Sequence, residues 1–267
     1  MMEQTSTTST PGTTPPRAGR REWLGLAVIA LACVLYVMDL TVLHLAVPEI
    51  SADLQPSSTQ MLWIIDVYGF MVAGSLITMG SLGDRIGRRR LLLIGAAAFG
   101  VTSLLAAFAT SAETLILARA LLGLSGATLA PSTLSLIRSM FHDPQQRTTA
   151  IAIWITSFSA GAALGPVLGG VVLELFWWGA VFLLNVPVMV AVLVLGPRLL
   201  PEYRDPDAGR ADLPSAALSL AGMLALVYGL KRVAQDGVTP VALVTALAGI
   251  GLGIVFVRRQ RRLADPL

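Results

Sequence analysis

The chain has 267 residues, of which 55% are hydrophobic and 13% charged, with a net charge of +3. A soluble domain carries about 25% charged residues, so this composition excludes an ordinary water-soluble fold and points to an all-α integral membrane protein. The basic residues fall in short segments between apolar runs, which makes them topology signals and argues against a nucleic-acid partner. The single cysteine, Cys33, sits in an apolar run, which excludes an intrachain disulfide and any paired-thiol redox or zinc motif.

In chain order, Met1 to Gly19 is rich in Thr, Ser, Pro and Gly and is expected to be a disordered cytoplasmic tail. Arg17, Arg20 and Arg21 precede an apolar run, Trp23 to Val47, that is too long for a secretory signal and is followed by more such runs. It reads as a signal-anchor helix with its N-terminus inside. Crossing the hydrocarbon takes roughly 20 mostly apolar residues. Eight spans are expected on that basis: Trp23–Val47, Gln60–Met79, Leu91–Ala109, Leu115–Leu136, Thr148–Leu173, Ala180–Leu195, Leu213–Leu230 and Val238–Val257.

Charge placement supports the count. The links expected outside, Pro48 to Thr59, Thr110 to Thr114 and Glu174 to Gly179, hold no Lys or Arg, and the last has a Trp177–Trp178 pair suited to the interface. The links expected inside hold Arg85 to Arg90, then Arg138 and Arg147, then Arg198, Arg204 and Arg210, then Arg258 to Arg262. Lys231 and Arg232 break the pattern by falling in an outer link, where only snorkelling at a helix end accounts for them.

Gly80 to Arg90, Gly-Ser-Leu-Gly-Asp-Arg-Ile-Gly-Arg-Arg-Arg, reads as a charged turn between the second and third spans. Its four arginines assign that bend to the cytoplasm.

Ionisable residues inside spans are Asp39, Asp66 and Arg119. Each costs about 2.5–3.5 kcal/mol at a helix centre on insertion scales. One reading is an ion pair between Arg119 and one aspartate that holds helices together. The other is a carboxylate that takes up a proton and attracts an organic cation. Trp63 and Phe70 lie three residues before and four after Asp66, with Tyr68 close by, so these rings are either a cradle for a delocalised cation or ordinary packing. His44, five residues after Asp39, either joins a proton relay or is a polar residue near the outer mouth. In the fifth span Gly161, Gly165, Pro166, Gly169 and Gly170 give a small-residue face for close helix approach, with a proline that removes one backbone hydrogen bond and bends the helix.

Taken together these stretches resemble a family. Gly80-Ser-Leu-Gly-Asp84-Arg85-Ile-Gly87-Arg88-Arg89-Arg90 resembles the signature between helices two and three of the major facilitator superfamily. Leu115 to Gly126, with Arg119, is similar to its fourth-helix arginine motif, and Gly161 to Gly170 to the fifth-helix motif associated with antiport. Asp39-Leu-Thr41 leading to Ala46-Val-Pro48 resembles the first-helix motif of the fourteen-helix drug:proton antiporters. Trp63-Ile-Ile-Asp66-Val-Tyr68 is similar to the branch that exports quaternary ammonium compounds and other lipophilic cations, and Asn185-Val-Pro187 also fits. His44 departs from the pattern, standing where the family often has asparagine.

The resemblance implies a six-helix transporter domain over 23–200 after a tail at 1–22, a cytoplasmic linker at 201–212, a two-helix insert at 213–257 and a basic end at 258–267. It implies that the family's second six-helix domain is absent from this chain. It further implies proton coupling and substrate binding at Asp39, Asp66 and Arg119, cation lining by Trp63, Tyr68 and Phe70, and a cytoplasmic gate of Gly80, Asp84, Arg85, Gly87 and Arg88. The expected function is proton-coupled efflux of lipophilic or quaternary-ammonium cations from a multi-pass protein of the cell membrane. It would need no cofactor beyond the proton gradient, have lipid, cations and protons as partners, and be a monomer at full length. Uptake by symport and a transport-incompetent fragment are the alternatives; no catalytic constellation supports an enzyme.

Overall fold

The computed structural model describes residues 16–204 and 212–263. Positions 1–15 of the expected tail, 205–211 of the linker and 264–267 of the basic end lie outside the described residues. Among the described residues the chain forms helices only: α1 (Arg20–Thr41), α2 (Leu43–Leu54), α3 (Ser58–Ile86), α4 (Arg88–Ala107), α5 (Ala112–Gly126), α6 (Leu129–Met140), α7 (Pro144–Leu175), α8 (Ala180–Leu183), α9 (Asn185–Leu199), α10 (Leu213–Asp236) and α11 (Pro240–Gln260). Eight segments of the described chain are long and apolar enough to cross a membrane, with α5–α6 and α8–α9 each forming one.

Helix starts follow local chemistry. Ser57, Ser111, Asp143, Asp212 and Thr239 each accept a hydrogen bond from a backbone N–H of the first turn. Pro144, Pro214 and Pro240 stand in that turn, where a missing N–H costs nothing. Asp143 is therefore the cap of α7. The interruptions at Thr128 and Leu184 each lie three residues before a proline, Pro131 and Pro187, whose absent N–H leaves the preceding turn without its bond. Pro166 behaves differently: α7 continues through it without interruption.

Several expectations need correction. The first span begins at Arg20 rather than Trp23 and is interrupted at Val42, so the expected Trp23–Val47 helix is two, α1 and α2. The Gly80–Arg90 segment is not a loop: Gly80 to Ile86 extend α3 and Arg88 opens α4, leaving Gly87 alone between them. Gly87 has φ of 109°, a backbone that L side chains rarely adopt. Lys231 and Arg232 are not in a link either, because α10 runs on to Asp236. Trp178 is buried and donates to Asp53 Oδ2 at 2.7 Å, so of the supposed interfacial pair only Trp177 is exposed.

The helices α1 to α9 form one bundle. α1 packs on α7 and α9, α3 on α5, and α4 on α5 and α9. The α1–α7 contact is made by the expected glycine face. A methyl at Gly161 would overlap the Val34 carbonyl, Gly165 lies against Thr41, and Gly169 against Val42. Gly170 faces open space and is not part of that face. Leu24, Ile94, Leu105, Leu117, Val167 and Val194 stand exposed around the bundle, an apolar belt far larger than a soluble protein leaves bare.

α10 and α11 form a tight hairpin through small residues, with Gly229 against Ala246 and Gly249 against Leu226. The hairpin leans on the bundle by packing α10 against α3. At its base the Arg259 guanidinium forks onto Asp212, with Nη2 3.0 Å from Oδ1 and Nε 3.3 Å from Oδ2, while the Ser215 hydroxyl donates to Oδ2. The Arg259 hydrogen bonds first, then Ser215, push the Asp212 carboxyl down to about 2.

Two outcomes are expected. Gly161→Val should lower the thermal midpoint in detergent by the equivalent of about 1–3 kcal/mol of overpacking, whereas Gly170→Val should not; equal melting of the two variants would deny the close α1–α7 approach. For Asp212 the folded pKa is depressed, so its stabilisation holds above the unfolded value of about 3.9 and fades as pH falls toward 2. Amide protection at Ser215 and Ala216 should therefore drop on acidification through that window in the wild-type chain and be low throughout in Asp212→Ala.

Candidate functional site

The intramembrane charges separate into two sites. In the first, Arg119 on α5 and Asp39 on α1 are 0% and 1% exposed and meet at 2.5 Å. The guanidinium is held from every side. Nε donates to the Ile64 carbonyl at 3.1 Å, Nη2 to the Ile65 carbonyl at 3.3 Å, and Nη1 to both the carboxylate and the backbone carbonyl of Asp39. Its central carbon lies 4.8 Å from the centre of the Tyr68 ring. The second carboxylate oxygen, Oδ1, accepts from Asn185 Nδ2 at 3.1 Å, and the same nitrogen donates to Ser103 at 3.2 Å. This network ties α1, α3, α4, α5 and α9 together. Asn185 stood out in the sequence only as part of a resemblance; its polar amide at the start of an otherwise apolar helix was the signal for a buried partner.

Tyr68 belongs to this first site and not to the surroundings of Asp66. Two residues along a helix turn a side chain by about 200°, so Tyr68 points into the bundle, where it is fully buried and its hydroxyl donates to the Tyr36 carbonyl at 2.9 Å. His44 is exposed on α2, whereas Asp39 is sealed within the bundle, so the relay between them is not formed in this structure.

The second site lies on the opposite face of α3. Asp66, Phe70, Ala73 and Ile77 recur at three- and four-residue spacing and face the α10–α11 hairpin. The Asp66 side chain is 32% exposed and its carboxylate pairs with Lys231, whose side chain is 29% exposed although its ammonium nitrogen is buried. That ammonium sits 5.5 Å from the centre of the Phe70 ring. Trp63 meets Phe70 edge-on at 6.4 Å and stacks on Tyr228 at 5.9 Å with 23° between planes. Arg232 rests over the other side of the cluster, 5.8 Å from the Tyr228 centroid. Lys231 and Arg232, anomalous as a loop pair, thus find partners within the hairpin interface.

The third cluster surrounds Gly87. Arg88 Nη2 bonds Asp84 Oδ1 at 2.5 Å, four residues back across the Gly87 junction, and its stem covers Gly83. Gly80 lies against Pro131 with room to spare, and Arg85 is half-buried on the last turn of α3. Sequence reasoning missed Glu202. Its carboxylate occupies the space a side chain at Gly87 would need, accepts from the Arg89 N–H at 3.2 Å, and lies 3.4 Å from Arg89 Nε and 3.8 Å from Arg90 Nε. It thereby places a negative charge at the N-terminus of α4, where the free N–H groups and the helix dipole favour one. Arg89 also donates to the Pro197 and Leu200 carbonyls at 3.3 and 3.1 Å, closing the end of α9 onto the same point. Among the described residues no cluster of His, Cys, Asp and Glu could hold a metal ion.

Removing one member of a desolvated pair leaves an uncompensated charge, at about 3–5 kcal/mol. Arg119→Met is therefore expected to lose most of the monodisperse protein seen by size-exclusion chromatography in detergent, and Asp39→Asn combined with Arg119→Met to recover part of it. A double variant no better than the single would mean that the charge pairing is not what the Asp39 site depends on.

Comparison with known proteins gives the family. A model of the Major Facilitator Superfamily matches residues 29–260. The chain is 55% identical over 258 residues to "Multidrug efflux pump LfrA" of Mycolicibacterium smegmatis, covering 97% of this chain and 51% of that protein. It is 40% identical over 252 residues to "Methyl viologen resistance protein SmvA" of Salmonella typhimurium, covering 92% of this chain and 50% of the relative. The chain thus spans about half the length of the curated relatives it matches. The fold also matches the crystal structure of peptide transporter POT in complex with sulfate, with a TM-score of 0.67 at 20% identity, over 94% of this chain and 55% of that one. With a helical bundle of membrane-spanning length and a matching sequence over most of its extent, the chain belongs to the Major Facilitator Superfamily and is a multi-pass membrane protein of a transporter family rather than an enzyme.

Proposed function

We propose that the protein acts in proton-coupled efflux of lipophilic or quaternary-ammonium cations across the cell membrane. The observation that carries this reading is Asp66: an accessible carboxylate on an otherwise apolar span, beside the half-buried rings of Trp63 and Phe70. A carboxylate supplies the charge for a cation, aromatic faces supply favourable contact with a delocalised or quaternary centre, and protonation of the same carboxylate cancels the attraction. Proton and cation then compete for one group, which is the minimal chemistry of antiport. The names of the similar proteins point the same way, toward multidrug efflux and methyl viologen, an aromatic dication.

Asp39 has a different part in this scheme. Sealed and bonded at both oxygens, it holds the bundle in register, and proton uptake there would require the Arg119 and Asn185 contacts to open. The Gly87 cluster is the cytoplasmic gate, with Asp84, Arg85 and Arg88 at its centre and Glu202 as an added member. The positive-inside rule supports a cytoplasmic location for that end of the bundle and for the start of α1. The Gly161, Gly165 and Gly169 face keeps α7 close enough to α1 to leave no leak path between them, with Pro166 lying within that stretch. The gradient alone drives the cycle, without a cofactor, and the working unit is a monomer in contact with lipid.

Everted membrane vesicles carrying the chain are expected to show ethidium movement that starts on energisation, stops with a protonophore, and is lost in Asp66→Asn at unchanged membrane abundance. Ethidium transport by Asp66→Asn equal to that of the unaltered chain would remove Asp66 from the mechanism.

A further inference from the structure

The Asp66 site already holds a cation, supplied by the protein itself. The Lys231 ammonium meets the Asp66 carboxylate and the Phe70 ring, while Tyr228, one turn earlier on α10, covers Trp63. A positive charge against a carboxylate, over one aromatic face and beside two others, is the arrangement an organic cation would adopt there. We propose that Lys231 is a tethered occupant of the cation site, which an external monovalent organic cation must displace in order to bind. This rests on the reading of Asp66 as the cation-binding carboxylate.

Three features set this pair apart from a structural salt bridge, and the Asp39–Arg119 pair in the same molecule provides the contrast. First, the side chains of Arg119 and Asp39 are sealed at 0% and 1% exposure, whereas those of Lys231 and Asp66 retain 29% and 32%, with only the Lys231 nitrogen itself covered. Exchange at the second pair needs the lysine stem to swing aside, not the bundle to open. Secondly, Arg119 is fixed by two backbone carbonyls of α3 besides its carboxylate, a planar fork locked in place. Lysine is a point charge on a flexible four-carbon stem, suited to leaving and returning. Thirdly, Lys231 is carried by a hairpin whose packing against the bundle runs through α10 on α3, with Gly74 against Leu220 and Met223 two turns from Asp66. Displacing the ammonium need not disturb α1, α4, α5, α7 or α9. Arg232 stays over the Tyr228 ring, so the positive charge that faces Asp66 is that of Lys231.

The consequence is competitive. If Lys231 occupies the site nine-tenths of the time, the apparent affinity for an added cation is reduced about ten-fold. Tetraphenylphosphonium is the probe, titrated calorimetrically into the purified 267-residue chain in detergent. Lys231→Met, which keeps an unbranched side chain without the charge, is expected to tighten binding about ten-fold. Lys231→Arg should restore weak binding, and Asp66→Asn should abolish it with or without Lys231→Met. A second measurement does not depend on removing the lysine. In a Cys33→Ala background, Cys residues introduced at Gly74 and Met223 replace positions whose Cβ atoms would lie 3.6 Å apart, within the range a disulfide spans. Oxidation should hold α10 on α3 and weaken tetraphenylphosphonium binding only while Lys231 is present.

Equal binding by the unaltered chain and Lys231→Met, lost in Asp66→Asn, would overturn the tethered-cation proposal and leave the Asp66 reading intact. A gain in Lys231→Met that persists without the Asp66 carboxylate would overturn it as well. Absence of binding to every form, Lys231→Met included, would overturn both.

Discussion

Everything in the bundle is arranged around one buried ion pair, Arg119 with Asp39. Two unit charges out of contact with water are tolerable only when their remaining donors and acceptors are also met. Here they are, through the Ile64 and Ile65 carbonyls, Asn185 and the ring of Tyr68. Those partners come from α3 and α9, so satisfying the pair dictates how four spans sit relative to one another. The requirement reaches further, since Tyr68 is oriented by its hydrogen bond to Tyr36 on α1, and Gly126 leaves room beside both rings. Apolar surface alone could not give this specificity in a membrane, because lipid solvates leucine as well as a neighbouring helix does.

The two carboxylates of the spans show how environment divides one residue type into two tasks. Asp39 has both oxygens engaged by polar side chains and no access to the surroundings. Asp66, on the far face of α3, has one lysine partner and a third of its side chain in the open. The helix between them serves as a partition. Residues spaced for its inner face, Ile64, Tyr68 and Ser75, are buried in the bundle, and those spaced for its outer face meet the hairpin. That division is a property of the 100° step of the helix, not of any one side chain.

Much of the architecture was legible in the sequence because membrane thickness imposes a length on every span and water imposes charge on every link. The number of spans and their approximate positions follow from those two constraints, as does the close face of Gly161, Gly165 and Gly169. What escaped was set by tertiary partners. A charged segment such as Gly80 to Ile86 looks like a loop until α3 is seen to continue past the apolar run, since helices do not end where hydrocarbon does. Tyr68 seemed near Asp66 because it is near in sequence, and helical rotation put it on the other side. Lys231 and Arg232 looked misplaced because their counterparts, Asp66 and Tyr228, cannot be recognised as partners without knowing that α10 lies on α3. Glu202 gave no signal at all: its place at Gly87 depends on where the chain returns after α9.

The hairpin's attachment bears on how motion would be transmitted. A helix pair that grips its neighbour along a single element shares the rigid-body coordinates of that element. α10 and α11 adhere to each other through glycine-lined contacts and to the bundle through α3. A tilt of α3 would carry the pair along as a lever arm, converting a small rotation near the middle of the span into a larger excursion at Arg258 to Arg262. The hairpin is then an indicator of α3 orientation, readable from outside the bundle by any probe attached to its far end.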